Sequence, residues 1–341
     1  VTGAGKQHKN LKMVGDVMLT MAGQVGFSAD TLAKAMYGVE SSGYHGADAL
    51  NVLRVAAEGA KVDNADLTTV VDALTFAMRA YHDPVKDAAQ VMNTLIASAA
   101  VGHMHLQDLA GAMGNILPIA STLNVPLAQV GAAISVMTDA GTDANKATTS
   151  LRYGMLSLVG PSSVGVAAMK SVGLSAAQVA KVLTDGGGIP GAFKLIDDAV
   201  GAKFPGNASK ADAALKNIFG GVRGMTAALE LSGAGFHEMT GNLDLINQRI
   251  LLADHNVSDW NLVQKNFNQQ LDEFGASAQA AAIKLGQNLL PAATDVLHVL
   301  SSTVKFFIDN KVAAEALAAS IGATLLPTLL LMMTGFTRIL I

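Results

Sequence analysis

The stretch Phe27–Leu50, FSADTLAKAMYGVESSGYHGADAL, holds a helix start, a helix stop and a second helix start. Phe27 precedes Ser28, and Leu32 follows Ser28 by four positions, the spacing of a hydrophobic staple around an N-cap serine. Leu32, Ala35, Met36 and Val39 fall on one helical face. Gly43 is placed to end that helix in the left-handed conformation. A second, alanine-rich helix then opens after Gly46. A chain that starts and stops helices this often forms many short helices rather than a few long ones.

The same style continues along the chain. Gly173 is placed to end a helix over Val164–Val172. Leu174 is then the staple residue, Ser175 the N-cap, Gln178 the capping-box partner and Val179 the fourth helical position. Asp83 followed by Pro84 reads as an N-cap with proline in the first turn. No segment alternates apolar and polar residues over a strand's length with β-branched enrichment. The fold class is all-α: an irregular bundle of short helices, then longer amphipathic helices, then a C-terminal apolar helix or hairpin.

Five segments are expected. Residues 1–25 lead into the fold, with a helix at Leu11–Val25. Residues 26–200 form a helical core domain. Gly201–Asp212, GAKFPGNASKAD, reads as a loop or hinge, and a second helical group runs over 201–256. Residues 257–312 are amphipathic and heptad-like, and residues 313–341 are a hydrophobic, membrane-inserting or buried segment. Leu67-x-x-Val70-x-x-Ala73 recurs as Leu127-x-x-Val130-x-x-Ala133. A duplicated helix pair would leave such a trace, and so would chance in an alanine-rich chain.

Composition narrows the function classes. Hydrophobic residues make up 50% of the chain, charged residues 15% and aromatics 5%, with a mean hydropathy of +0.37. That balance suits helices packed closely through small side chains. The net charge is −4 and no lysine- or arginine-rich run occurs, so a dedicated nucleic-acid surface is not expected. Cysteine is absent, which excludes disulfide and thiol chemistry. VTGAGKQHKN at the N-terminus has no apolar core of a signal peptide. It lacks an initiating methionine, and the C-terminus stops inside an apolar run; both ends read as those of a fragment or a clipped frame.

Two stretches near the C-terminus read as interaction elements. Phe267, Leu271, Phe274, Ala278, Ala281 and Leu285 step by four and three residues, as do Leu297, Leu300, Val304 and Phe307. These are heptad-like seams suited to self-association, with an ordinary amphipathic helix as the alternative. Ala316–Thr337 carries no charge, and about 20 apolar residues span a bilayer core. Leu325, Leu326, Leu329, Leu330 and Leu331 surround Pro327, with Lys311 and Glu315 on one side and Arg338 on the other. The stretch is a candidate conditional membrane segment or a buried hairpin broken at Pro327.

Candidate chemistry is thin. Gly186, Gly188 and Gly191 match G-x-G-x-x-G, but a helix precedes them and Pro190 lies inside the motif, so a turn is the better reading. His237-Glu238 opens like a zincin motif, yet Gly241 stands where the second histidine should be. His103 and His105 are expected on opposite sides of a helix. Asp197-Asp198 reads as a solvated helix face with Lys194, and Trp260 as a packing anchor beside Val257. No catalytic residue, cofactor site or metal site is expected, and the chain does not read as an enzyme.

The blocks, in their order, resemble the core domain of phage tail tape measure proteins. Phe27, Ser28, Ala33, Tyr37, Ser42, Gly43, Gly46 and Leu50 match its opening. Asp66–Tyr81, Pro84–Gly102, Leu106–Gly141, Lys146–Leu158 and Leu215–Leu229 resemble its later blocks in sequence. The resemblance implies a structural tail protein of a phage or prophage that sets tail length during tube assembly and assists DNA ejection across the host membrane. It implies the tail tube protein, tail assembly chaperones, distal tail protein, further copies of itself and the host membrane as partners, without specific nucleic-acid binding. The implied location is the virion tail lumen, after the host cytoplasm and with the host membrane reached during infection. The rival class is a membrane-active helical protein, pore-forming or secretion-linked, acting through Ala316–Thr337. A straight helical ruler gains about 1.5 Å per residue; helices this short predict instead a compact domain over residues 26–256.

Overall fold

The computed structural model describes residues 2–82, 87–253, 256–266, 269–270, 272–287 and 310. All regular structure among them is helical. In chain order the helices are α1 (Thr2–Val25), α2 (Ala29–Ser41), α3 (Ala47–Val62), α4 (Leu67–Ala80), α5 (Ala88–Val101) and α6 (Leu106–Met113). Then follow α7 (Leu117–Thr122), α8 (Leu127–Asp139), α9 (Ala144–Val159), α10 (Ser163–Ser171) and α11 (Ala176–Thr184). The series ends with α12 (Gly188–Lys203), α13 (Ala208–Ile218), α14 (Val222–Glu230), α15 (Ala234–Leu252) and α16 (Trp260–Val263), and residues 272–287 are again helical.

The chain divides into two compact units, Val1–Ala280 and Ala281–Ile341. The second is described only at residues 281–287 and 310. The Asp83–Pro84 cap and the whole of Ala316–Thr337 lie outside the described residues.

Six of the joints are built alike. A residue with positive φ ends one helix, the next residue turns inward, and the third caps the following helix. Gly26, Phe27 and Ser28 make such a corner, and so do Gly173, Leu174 and Ser175. The corner recurs at Asn64–Asp66, His103–His105, Asn124–Pro126 and Gly141–Asp143. In five of the six, the middle residue's N–H reaches back five residues, as in Ala65 to Ala60 O (2.8 Å), Val125 to Ala120 O (2.9 Å) and Leu174 to Met169 O (2.9 Å). These bonds satisfy carbonyls that the helix end would leave bare. The caps then accept from the next helix: Ser28 Oγ from Thr31 N (3.1 Å), Asp66 Oδ1 from Thr69 N (2.9 Å) and Ser175 Oγ from Gln178 N (3.1 Å).

Three expectations change. His103 and His105 stand in the corner between α5 and α6, not on a helix; His103 has φ of +48° and His105 is the N-cap residue. The supposed hinge Gly201–Asp212 shrinks to Phe204–Asn207, because α12 runs to Lys203 and Asn207 Oδ1 caps α13 by accepting from Lys210 N at 3.1 Å. The leading helix also begins earlier than Leu11, at Thr2.

Helix α5 lies at the centre. It packs against α3, α4, α6, α8 and α15, and every residue from Val91 to Ala99 is buried. Small residues make the approaches possible. A Cβ on Gly59 of α3 would come within 2.6 Å of Met92 Sδ, and one on Gly131 of α8 would overlap Ser98 Oγ. Elsewhere Gly154 of α9 and Gly224 of α14 bring those helices together around Phe219, whose ring lies 4.8 Å from that of Phe193. One apolar core runs from Met21 to Ala276, with members on both sides of residues 200 and 256.

Gly131→Ala separates intrinsic propensity from packing. Alanine in a helix interior gains about 1 kcal/mol over glycine, whereas overpacking costs about 1–3 kcal/mol. The expected result is a lower urea midpoint for Gly131→Ala, partly restored by adding Ser98→Gly; a raised midpoint would contradict the close α5–α8 approach.

Candidate interaction surfaces

Asn93, buried in the middle of α5, holds the segment after α15. Its Nδ2 donates to Asn256 O at 2.7 Å, and its Oδ1 accepts from Ser258 N at 2.7 Å. A buried amide thus spends donor and acceptor on one strip of backbone, avoiding the penalty of an unmet polar group. Val257 is buried between those two bonds, Asp259 takes a positive φ of +62°, and Trp260 is half-buried against the core. Trp260 therefore anchors packing beside Val257. The clamp places Leu262 in the open, 60% exposed, and at the end of α15 Leu251 and Leu252 are 79% and 84% exposed. Leu252, Arg249, Trp260 and Gln264 line a groove of about 680 Å³ here. The sequence reading missed this patch; its trace is Asn93, one of the few polar residues of a mainly apolar helix.

A second surface lies on the helix at 272–287. Its inner side docks where α1 meets α2. Gln269 Nε2 donates to Val25 O at 3.0 Å, and Lys61 Nζ pairs with Asp272 Oδ2 at 2.7 Å while sitting 4.6 Å from the centre of the Phe27 ring. Ala276 and Ala280 are buried, and a side chain at Gly23 would collide with Ser277. Of the expected seam, Phe274 and Leu285 are 74% and 61% exposed. Phe267, Leu271, Leu297, Leu300, Val304 and Phe307 lie outside the described residues, as do the membrane-segment residues Ala316, Leu325, Leu326, Pro327, Leu329, Leu330, Leu331 and Thr337. Among the described residues no single helix is long and apolar enough to cross a membrane.

The titratable groups serve structure. Glu58 is buried on α3, which pushes its carboxyl above the usual range, opposed by Arg54, whose Nη1 donates to it at 2.7 Å. Burial also raises Glu230 of α14, which accepts from Thr142 Oγ1 at 2.7 Å through one oxygen while its other oxygen is buried without a partner among the described residues. Glu238 is raised by burial and by the neighbouring charge of Asp139, and Asp139 also holds His103 at 2.7 Å. His105 faces Asp63 instead, at 3.5 Å, so the two histidines serve different corners. Gly186 has positive φ in the turn after α11 and Gly188 has it at the first residue of α12, where Ile189 N donates to Gln129 Oε1 at 3.0 Å. Asp198 pairs with Lys194 at 2.9 Å, and Asp197 accepts from Gly233 N at 3.3 Å. No group of three His, Asp or Glu side chains placed to hold a metal occurs among the described residues.

The family model described as phage-related minor tail protein matches residues 15–240. A tape measure protein of Pneumococcus phage Dp-1 is 22% identical over 332 residues, which cover 96% of this chain and 28% of that relative. The chain thus spans little more than a quarter of the curated relative's length. No solved structure matches the chain.

Two substitutions test the account of these residues. Asn93→Ala leaves Asn256 O and Ser258 N unpaired and should cost about 2 kcal/mol or more, with a red shift in the fluorescence of Trp260, the only tryptophan; unchanged emission would mean the clamp does not hold α16. For Glu230, burial raises the folded-state pKa, so stability rises as pH falls through it. Glu230→Gln mimics the protonated form and should raise the melting temperature at about pH 8, the gain vanishing towards about pH 4. A loss at pH 8 would show that the carboxylate is stabilising there.

Proposed function

The chain belongs to the phage-related minor tail protein family, and on that premise we propose that it is a folded segment of a tape measure protein, which sets tail length during tube assembly. The observation that carries the reading is the match of nearly the whole chain to a protein named tape measure protein. The all-helical fold agrees with it. On this reading the protein acts in the virion tail, after synthesis in the host cytoplasm, alongside tail tube protein, assembly chaperones and distal tail protein.

The fold changes what such a segment can measure. A continuous helix over residues 26–256 would reach about 350 Å at 1.5 Å per residue. A compact unit of that size is only about 45–50 Å across. The segment therefore contributes a compact end piece, and ruler length comes from sequence outside it. Several copies would meet through Phe274, Leu285 and the rest of the seam, with the patch at Leu251, Leu252 and Leu262 as a further apolar contact. Ala316–Thr337 is the element proposed to enter the host membrane when DNA is ejected, since its apolar length suits a bilayer core.

Tail length tests both parts. Removing the whole reading frame should abolish tails of uniform length; uniform tails without it would sink the tape measure reading. In-frame removal of residues 26–256 should shorten tails, measured by electron microscopy, by no more than about 50 Å. Shortening by about 350 Å would show that the segment is stretched out in the tube.

A further inference from the structure

Charge is unevenly divided in this chain. Between Lys146 and Arg223 nine cationic side chains meet four carboxylates, while the rest of the chain has fourteen cations and twenty-three carboxylates. The cations are spread one or two to a helix, so no basic run marks them in the sequence. Folding gathers them, because α9 packs on α11 and α14, α10 on α13, α12 on α11 and α13, and α13 on α14.

Most of the lobe's acids are already engaged. Lys181 and Lys194 pair with Asp185 and Asp198 one turn on, and Asp197 accepts from Gly233 N. That leaves Asp212 against five lysines at 146, 170, 203, 210 and 216 and two arginines, Arg152 and Arg223, none with a carboxylate partner among the described residues. All five lysines and Arg223 are exposed. Lys170, Lys203 and Lys216 stand in last turns, where they favour the helix dipole, but that placement leaves their charge in solvent.

The lobe also has a track for a ligand. A groove of about 560 Å³ runs between α10 and α13, lined by Ser163, Ser171, Lys210 and Asn217 over an alanine floor. Lys170 and Lys203 are the chain neighbours of Ser171 and Phe204, which line it. On α9 and α14, the Arg152 and Arg223 guanidiniums lie 5.9 and 5.1 Å from the centre of the Tyr153 ring. Guanidinium forks match phosphate geometry, and lysines serve phosphate as point charges.

We propose that the α9–α14 lobe is a sequence-independent docking surface for the phosphodiester backbone of DNA, centred on the groove between α10 and α13. A second copy is the rival occupant, and of the twenty-three carboxylates outside the lobe Asp30, Glu40, Glu58, Asp63, Asp66 and Asp139 are already held by cations, histidines or helix caps. An anionic bilayer fits less well, because the exposed apolar side chains most open on this lobe are Val164 and Val222, whereas interfacial helices anchor through tryptophan, phenylalanine and leucine. The proposal stands independently of the tape measure reading.

Fluorescence anisotropy of the 341-residue chain with a labelled random-sequence duplex, at salt from about 50 to 200 mM, is the test. Binding should show no sequence preference and weaken steeply with salt. Replacing Lys170, Lys203, Lys210 and Lys216 with glutamine together should lower the salt slope by about three to four and the affinity at least about tenfold, with circular dichroism unchanged. The same change at Lys34, Arg249, Lys265 and Lys284 should leave affinity within about twofold, since phosphate contacts and not net charge carry the effect. No binding at low salt, binding retained in the lobe variant, or equal loss in both variants would overturn the proposal. So would lobe-dependent dimerisation or capture of phosphatidylserine vesicles by a chain that does not bind DNA, which would assign the surface to a second copy or to a bilayer.

Discussion

Helix α5 can be surrounded only because its neighbours give up side chains where they meet it. Gly59 on α3 and Gly131 on α8 leave room for Met92 and Ser98. A helix buried on all sides is normally apolar all round, yet α5 carries Asn93, Thr94 and Ser98. Each is satisfied: Thr94 Oγ1 donates to Gln90 O, Ser98 Oγ to Thr94 O, and Asn93 to the strip after α15. The rest of the first unit follows from this arrangement. α8 takes its place on α5 and holds α15 through Asn242 Nδ2 donating to Ser135 Oγ at 2.9 Å. α15 leads into the strip that Asn93 clamps, and that strip sets α16 and the exposed leucines beside it.

The corners explain why the fold class was legible. Gly26–Phe27–Ser28 and Gly173–Leu174–Ser175 use the residues most given to their tasks, glycine for positive φ and serine for the cap. Asn64–Ala65–Asp66 and Asn124–Val125–Pro126 do the same work with asparagine in the left-handed position, which tolerates it less freely than glycine. His103–Met104–His105 uses histidine twice and passes for a piece of helix. The hinge expected at Gly201–Asp212 failed for a related reason: glycine and lysine at the end of α12 remain helical, and only Phe204–Asn207 turns.

The interaction surfaces were less legible, because exposure depends on which helix faces which. Phe274 and Leu285 fit a seam by spacing and are exposed among the described residues, but Ala276 and Ala280, on the other side of the same helix, are what docks. Leu251 and Leu252 resemble any other apolar pair until Asn93 fixes the turn beyond them. The cations of α9–α14 are one or two per helix and become a surface only when six helices assemble. In each case the pattern along one helix was readable and the partner across from it was not.

A ruler and a folded end piece make opposite demands on sequence. A ruler needs an unbroken helical period; this chain breaks its helices with left-handed corners and encloses one of them. The fold rests on the first unit holding together around α5, and hydrogen exchange of the isolated chain tests this most directly. The account requires the amides of Ala88–Val101 to be the slowest to exchange, at the rate of global unfolding, and slower than those of α10 and α13 at the surface. Exchange of α5 as fast as that of α10 would contradict a core built around it.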